Sequence, residues 1–354
     1  MRFAIEVTPH AWSPPRSGVE TTARAIEAIL AAETAGFDAA WASEDPDNWD
    51  AIAILSAAAV RTERITLATG VVNPVYRNPA LLAASTSTLD RISNGRLVLG
   101  LGRGQPEWYQ QRLGIDANEP LARVEEAISL LRQWWSPPHR AESDGPQGVA
   151  GWERQFGPLQ QHVEILLAAA GPKAVNVAGR LADGIIFNEL TSRSVMAEII
   201  GQARKAAEQA GRDPSLIRFV ARPGLVVTSD PAAAIARKKR GIAMINTLPG
   251  MDRLLETPGF DVKSILAEAR RAMRTDEILK RGGAFAEMRR EGDLEAAAAA
   301  IPDDLVMELA MIGEIDHVKR RIDRLQEIGV SEVVIMRGDL PKPERWAELL
   351  VSLR

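Results

Sequence analysis

Short apolar runs, rich in β-branched residues, alternate with amphipathic stretches along this chain from its first residues. The apolar runs predict strands near residues 2–8, 38–43, 65–72, 97–102, 164–169, 184–188, 218–228 and 332–337. The stretches between them carry apolar residues at helical spacing and predict helices near 20–35, 49–61, 79–92, 120–135, 172–182, 194–210, 231–246 and 315–329. Eight strands interleaved with helices predict an α/β protein, a (β/α)8 TIM barrel, with a doubly wound parallel sheet as the alternative.

Two segments interrupt this alternation. Residues 136–162 are rich in proline and glycine and poor in apolar residues, which predicts a long inserted loop before the fifth strand. Loops of that length usually shape a binding site or move. Residues 247–306 mix charged residues with alanine runs and predict a helical insertion. Because α/β barrels of this length commonly form one unit, we predict a single barrel domain over residues 1–354 that carries both insertions.

Composition narrows the functional classes. A hydrophobic fraction of 46% is typical of a globular protein with a large core, and a net charge of −4 gives no basic surface for nucleic acid. The chain has no cysteine and its four histidines share no metal-ligand spacing, so we expect neither disulfides nor a metal site. Glu6 interrupts the apolar N-terminus, and no apolar run long enough to span a membrane follows. We therefore expect a cytoplasmic protein without a membrane segment.

Three carboxylates stand at or near the C-terminal ends of the first two predicted strands, where barrel enzymes carry their catalytic groups. Glu6 lies between Ile5 and Val7, so it points into the barrel if those neighbours face the helices. It is either a working acid or base or a paired structural carboxylate. Glu44 and Asp45 follow the second strand, and at most one of them should face a ligand. Their alternative role is to form a turn and to cap the next helix.

The later strand ends carry glycines and a candidate anion site. The third strand breaks at Gly70, and polar Asn73 follows before Pro74. Glycines 100, 102 and 104 follow the fourth strand without completing a dinucleotide-binding fingerprint. Gln105 and Trp108 come next, and the indole either faces an aromatic ligand or packs on a helix. After the fifth strand, Gly171, Pro172 and Lys173 open a helix, whose N-terminus favours an anion.

The chain has no nucleophile elbow of the Gly-x-Ser-x-Gly type, and no histidine is placed to serve one. The predicted barrel mouth thus combines acids, glycines, a tryptophan and an anion site without a nucleophile or metal ligands. Such a mouth suits an organic cofactor that performs the difficult chemistry itself.

At these residues the chain resembles the bacterial luciferase-like superfamily of flavin and deazaflavin barrels. The matching segments span most of the chain in order: residues 36–45, 65–104, 166–188 and 315–336. Within that superfamily, residues 2–9 and 292–318 are most similar to the deazaflavin-dependent methylenetetrahydromethanopterin reductases. Barrels of this superfamily are commonly dimers, so the resemblance also implies a homodimer. Apolar faces near residues 49–61 and 79–92 are candidate contacts, and their alternative role is to pack against the barrel.

The resemblance implies coenzyme F420 as the cofactor, with FMN as the alternative. It implies a non-proline cis peptide bond between Gly70 and Val71 beside the cofactor ring, and a phosphate-binding turn at Gly171–Lys173, assisted by Arg103. Together with the candidates at the other strand ends, the predicted cofactor site comprises Gly70, Val71, Asn73, Arg103, Gly104, Gln105, Trp108, Gly171, Pro172, Lys173 and Asn188. Glu6 matches the acid that the family carries inside the first strand.

The chain departs from many deazaflavin relatives at two points. Glu44 and Asp45 stand where those relatives have Asp-His, and Gln105 replaces an acidic residue. Proton transfer would therefore rest on Glu6, Glu44 or Asp45. The resulting prediction is an F420-dependent oxidoreductase that transfers a hydride to or from a small organic substrate. An FMN-dependent monooxygenase and a non-catalytic flavin-binding barrel are the alternatives.

Overall fold

The computed structural model of the protein describes residues 1–8, 18–44 and 49–354, without the side chains of residues 18–20. The strands are β1 (Arg2–Glu6), β2 (Ala39–Ala42), β3 (Thr66–Thr69), β4 (Leu97–Leu101), β5 (Arg140–Ser143), β6 (Val149–Glu153), β7 (Ile165–Leu167), β8 (Gly184–Glu189), β9 (Arg218–Arg222), β10 (Val226–Val227), β11 (Ile312–Gly313) and β12 (Glu332–Met336). Strands β1–β4, β7–β9 and β12 form a closed parallel barrel, in which β12 pairs with β1. The predicted TIM barrel is confirmed.

Helices surround the barrel and fill the insertion. They are α1 (Gly18–Ala35), α2 (Ala51–Ala59), α3 (Pro79–Ile92), α4 (Pro106–Arg112), α5 (Pro120–Trp135), α6 (Pro172–Leu181), α7 (Arg193–Gln209), α8 (Ala232–Ile245), α9 (Val262–Ala272), α10 (Thr275–Lys280), α11 (Phe285–Glu291), α12 (Leu294–Ala299), α13 (Asp303–Leu309), α14 (Ile315–Glu327) and α15 (Trp346–Leu353). Helices α9–α12 lie in the segment 247–306 and α13 begins in it, and these helices share a second hydrophobic core with α4 and α8.

The predicted strand over residues 218–228 is wrong in its extent. Strand β9 ends at Arg222, and a separate short strand, β10, pairs with β11 outside the barrel. Pro223 has no amide hydrogen to donate, and Gly224 has a positive φ of 60°, so neither continues a strand. The inserted loop 136–162 also contains structure that the sequence analysis did not predict, because β5 and β6 form an antiparallel hairpin in it.

Alternation along β1 determines what faces the barrel interior. Phe3 and Ile5 pack in the core between the strands and the helices, whereas Ala4 belongs to the small cluster inside the barrel. Because side chains alternate along a strand, Glu6 lies on the same inner side as Ala4. The interior cluster consists largely of small residues and one large ring, Trp41, which is fully buried. The inner face of β1 thus carries a carboxylate at the C-terminal end of the barrel.

Candidate active site

Glu6 is fully buried at the last position of β1 and binds four donors. Its Oε1 accepts hydrogen bonds from the backbone N–H of Thr8 at 3.1 Å and of Ser43 at 3.3 Å. Its Oε2 accepts from the Ser43 hydroxyl at 3.2 Å and from Nη2 of Arg222 at 2.8 Å. The residues come from the ends of three different barrel strands, so barrel closure assembles this cluster. The prediction that Glu6 points into the barrel is confirmed.

Arg222 is the residue that the sequence analysis missed. Its Nη2 also donates to the carbonyl oxygen of Gly70 at 2.6 Å, while its Nε is buried without a hydrogen-bond partner. The signal in the sequence was the alternation Arg218, Val220, Arg222, which places all three on one face of β9. Val220 lies in the interior cluster, so both arginines project inward at opposite ends of the barrel.

Burial dominates the electrostatics of Glu6. Desolvation raises the pKa of the Glu6 carboxyl above its usual value of 4.5. The Arg222 guanidinium and the hydrogen bonds from Thr8 and Ser43 lower this pKa, but they offset only part of the burial effect. The carboxyl therefore retains its proton to a higher pH than an exposed glutamate would.

Gly70 is fitted closely between these groups. The peptide bond between Gly70 and Val71 is cis, as predicted. A Cβ atom on residue 70 would lie 2.3 Å from Nη2 of Arg222 and 2.9 Å from the Trp41 ring. A Cβ atom on Gly102 would similarly lie 2.5 Å from a methyl group of Val71. Glycine at these two strand ends leaves room for the arginine and for the side chain of Val71.

A second carboxylate lies below the Trp41 ring, at the N-terminal end of the barrel. The indole N–H of Trp41 donates to Glu332 at 2.8 Å, and Arg218 donates to the same carboxylate at 2.6 Å. Glu332 is the first residue of β12 and is fully buried. Residues at this end of a barrel contribute to stability rather than to chemistry. Trp41 thus separates a structural ion pair from the Glu6 cluster.

Glu44 is held in an ion pair away from Glu6. Its carboxylate contacts Nε of Arg77 at 3.0 Å, and Arg77 also contacts the carboxylate of Asp50 at 2.8 Å. Asp50 in turn caps α2 by accepting from the backbone N–H of Ala53. The described contacts of the Glu44 side chain therefore fasten the loop after β2 to the loop after β3. Asp45 lies outside the described residues.

Asn73 and Gly104 shape the loops after β3 and β4. The side-chain amide of Asn73 donates to the Tyr109 hydroxyl at 2.7 Å, and its oxygen accepts from the backbone N–H of Val75 at 2.7 Å. Gly104 has a φ of 60°, and a Cβ there would lie 2.1 Å from the Tyr109 hydroxyl. Gln105 is buried at the start of α4. These contacts link the two loops to each other.

The Trp108 indole packs on a helix, which is one of the two roles considered for it. Its ring lies 5.1 Å from the ring of Phe285 in α11, in an edge-to-face arrangement, and it belongs to the core of the helical insertion. Asn188, near the end of β8, also contacts the insertion, because its side-chain amide lies 3.1 Å from the sulfur of Met251. Both residues connect the barrel mouth to the insertion.

The turn at Gly171 is open. Gly171 precedes α6 in an extended conformation, and no side chain caps the helix. A Cβ atom on Gly171 would meet no other atom within 4 Å. Lys173 and Arg103, which follow β7 and β4, are both exposed. Their strands are neighbours in the barrel, so the free amide groups of α6 and two cations lie on the same side of the mouth.

Within residues 1–8, 18–44 and 49–354, no three histidine, aspartate or glutamate side chains are placed to hold a metal ion. None of their helices combines the length and the apolar character that a membrane span needs.

Comparison with known proteins gives consistent matches. The profile of the luciferase-like monooxygenase family matches residues 1–332. A Mycobacterium tuberculosis protein provisionally named a coenzyme F420-dependent oxidoreductase is 30% identical over 353 residues, covering 94% of this chain and 96% of the relative. The 5,10-methylenetetrahydromethanopterin reductase of Methanolobus tindarius is 30% identical over 320 residues, covering 90% and 91%. The coenzyme F420-dependent tetrahydromethanopterin reductase of Methanopyrus kandleri has the same fold, with a TM-score of 0.75 at 24% identity, covering 99% and 96%.

Proposed function

This chain belongs to the luciferase-like monooxygenase family, and we propose that it is an oxidoreductase that uses coenzyme F420 to reduce or oxidise a small organic substrate. Two relatives at 30% identity carry names that support this assignment, a coenzyme F420-dependent oxidoreductase and a methylenetetrahydromethanopterin reductase. When bound, the deazaflavin would supply or accept the hydride. The protein would position the reactants, exclude water and handle one proton.

The residues at the barrel mouth fit such a cofactor. Glycine at positions 70 and 102 makes room for Arg222 and for the side chain of Val71, and we propose that a flat ring lies against that side chain. The amide groups at Gly171 have open space before them, and Lys173 and Arg103 would complement a phosphate there. The remaining predicted cofactor residues, Asn73, Gly104, Gln105, Trp108 and Asn188, would act through the loops that they hold in place.

The observation that carries the proposal is the buried carboxyl of Glu6 at the mouth. Because burial raises its pKa, Glu6 holds its proton to a higher pH than an exposed glutamate does and can donate it beside the reacting atoms. Arg222 faces Oε2 at 2.8 Å and would stabilise the carboxylate that remains after donation. The Ser43 hydroxyl contacts the same oxygen and would also stabilise the carboxylate. Glu44, which is paired with Arg77, and Asp45 remain the alternative candidates.

Direct cofactor binding tests the proposal. The purified protein is titrated with F420 and, separately, with FMN, and binding is followed by cofactor fluorescence. We expect tighter binding of F420, and we expect the charge reversal Lys173→Glu to weaken it. The charge reversal Lys205→Glu is the control, because Lys205 is exposed on α7 and outside the mouth. Preference for FMN would favour the monooxygenase, and binding without turnover of any tested carbonyl or imine would favour a flavin-binding barrel.

We also propose that the protein forms a homodimer, as the family resemblance implies. Apolar side chains are exposed at or beside the two predicted faces, among them Val60 at 72%, Leu81 at 57% and Ile92 at 43%. Light scattering of the purified protein gives its mass in solution, and Leu81→Glu should shift a dimer towards the monomer. A monomeric mass of the unmodified protein would contradict this proposal.

A further inference from the structure

A cleft of about 640 Å³ lies between α7, α13 and α14, on the outside of the barrel. Its walls include the start of α7 at Ser192 and Arg193, the end of α13 at Glu308, and one side of α14 from His317 to Arg324. None of the residues assigned above to the cofactor or to proton transfer lines it. The residues of this cleft therefore differ from those of the proposed cofactor site, although Pro223 directly follows Arg222.

The cleft is strongly cationic. Four arginines line it, and only two acids do: the arginines are Arg193, Arg320, Arg321 and Arg324, and the acids are Asp304 and Glu308. The side chain of Arg321 already forms hydrogen bonds within the protein. It donates to the backbone carbonyls of Met307 at 2.6 Å and of Glu308 at the end of α13. The other three are exposed. We find no ion pair for them among the residues that the structure describes.

The cations in the cleft act on one another. Burial, Arg324 and Arg193 all lower the pKa of Arg321, and Glu308 opposes them by raising it. The pKa of His317 is lowered by burial and then by Arg321, Arg320 and Arg324. The His317 Nε2 atom is also buried without a hydrogen-bond partner. A repulsive cluster next to an unsatisfied ring nitrogen indicates that a group of opposite charge would find several partners here.

The start of α7 adds further donors. Ser192 caps this helix by accepting from the backbone N–H of Val195, so the amides of Arg193 and Ser194 have no acceptor within the helix. A helix of 17 residues also presents its positive end to the cleft. Amide donors and guanidinium groups thus face one space, and the His317 ring forms part of its wall.

We propose that this cleft is a binding site for a small organic polyanion that carries phosphate or several carboxylate groups. The volume exceeds that of a single phosphate, and the arginines are distributed along α14, so two anionic groups could be bound at once. Guanidinium groups bind phosphate and carboxylate in the same forked geometry, so the site can bind either group.

Calorimetric titration with pyrophosphate and, separately, with citrate tests this site. The test variant is Arg320→Gln with Arg324→Gln, which removes two exposed cations from the cleft. The control variant is Lys205→Gln with Lys319→Gln, which removes one charge from α7 and one from α14, both outside the cleft lining. We expect the test variant to lose at least about tenfold in affinity for pyrophosphate, citrate or both, since each loses charge-assisted hydrogen bonds. The anion with the larger loss identifies the ligand chemistry.

Three results would overturn the site. The first is that the unmodified protein binds neither anion at millimolar concentration. The second is equal weakening in the test and control variants, which would indicate attraction by overall charge. The third is a signal that survives in the test variant and disappears in Lys173→Glu, which would place the anion at the barrel mouth. Fluorescence binding of F420 to the test variant should match that of the unmodified protein, so failure of this site and failure of the proposed function are separate outcomes.

Discussion

Replacing Glu6 by glutamine isolates the proton that this residue is proposed to carry. Glutamine has the shape of a protonated glutamate but cannot give up its proton. Its oxygen can take the place of Oε2 and accept from Arg222 and from the Ser43 hydroxyl. Its NH2 group then faces the backbone N–H groups of Thr8 and Ser43, which have lost their acceptor. Ser43 N–H still donates to the Thr8 hydroxyl at 2.6 Å, so the Thr8 N–H and the new NH2 group are left without an acceptor among these contacts.

The stability loss follows from that count. The unsatisfied backbone donor and the unpaired NH2 group cost about 1–3 kcal/mol of unfolding free energy each. We expect the variant to fold and bind cofactor, because a domain is typically stable by about 5–15 kcal/mol. Turnover should fall about 100-fold or more, which is the usual contribution of a general acid or base.

The pH dependence of stability provides a second readout. Burial raises the pKa of Glu6 above 4.5, so the folded protein holds this proton more tightly than the unfolded chain does. Its stabilising contribution is therefore full below the unfolded pKa and is lost as the pH rises through the folded pKa. Glu6→Gln should remove this decline. Denaturant unfolding of both proteins between pH 4 and pH 8 measures this decline in stability. The range begins near the usual carboxyl pKa of about 4.3 and extends above it.

The assay compares Glu6→Gln with Glu332→Gln. Glu332 is also a fully buried barrel carboxylate bonded to an arginine, but it lies at the opposite end. Its variant should lose stability and keep its turnover per folded molecule. Turnover is measured by cofactor absorbance with a carbonyl or imine substrate found by screening, and carbon NMR of labelled glutamate gives the pKa of Glu6 without a substrate. Near-normal turnover in a folded, cofactor-loaded Glu6→Gln protein would refute the reasoning and pass the role to Glu44 or Asp45.

Three further outcomes are expected. Gly70→Ala should abolish tight cofactor binding, because its Cβ would lie 2.3 Å from Arg222. Gly201→Ala in α7 is the control, because its Cβ would meet no atom within 4 Å. This control should stabilise the protein by up to about 1 kcal/mol in denaturant unfolding. Arg222→Gln should raise the pKa of Glu6 further, which would move the pH profile of turnover upward; an unchanged profile would contradict the pairing. Reversing both Lys173 and Arg103 to glutamate should weaken F420 binding in a fluorescence titration, and unchanged affinity would mean that the phosphate site is elsewhere.

Local signals made much of the fold predictable. All eight barrel strands were predicted, because each is a short apolar run between helical stretches. Helices α3 and α5 have the predicted bounds. Each begins with proline at its first position, and Asn78 caps α3 by accepting from the N–H of Ala80. The hairpin of β5 and β6 lacked such signals, since its strands are largely exposed and carry charged and glycine residues.

The sequence predicted where the candidate site residues lie better than it predicted which residues they contact. The period of two along β1 placed Glu6 inside the barrel, but its partner Arg222 is 216 residues away in the chain. Barrel closure brings them together, and nothing local to either residue encodes that distance. The contact between Glu44 and Arg77 is similar, because it joins two loops 33 residues apart. The sequence therefore identified the candidate acids, but it did not predict which of them would form an ion pair with an arginine.

The bonds that Arg222 makes to Glu6 and to the Gly70 carbonyl have an evolutionary consequence. Losing the carboxylate alone leaves a buried cation with one acceptor, and losing the arginine alone leaves a buried acid without its counter-charge. Gly70 is constrained as well, because any side chain there would collide with the guanidinium. Descendants that abandon this chemistry are expected to replace positions 6 and 222 together, and only afterwards to admit a larger residue at position 70.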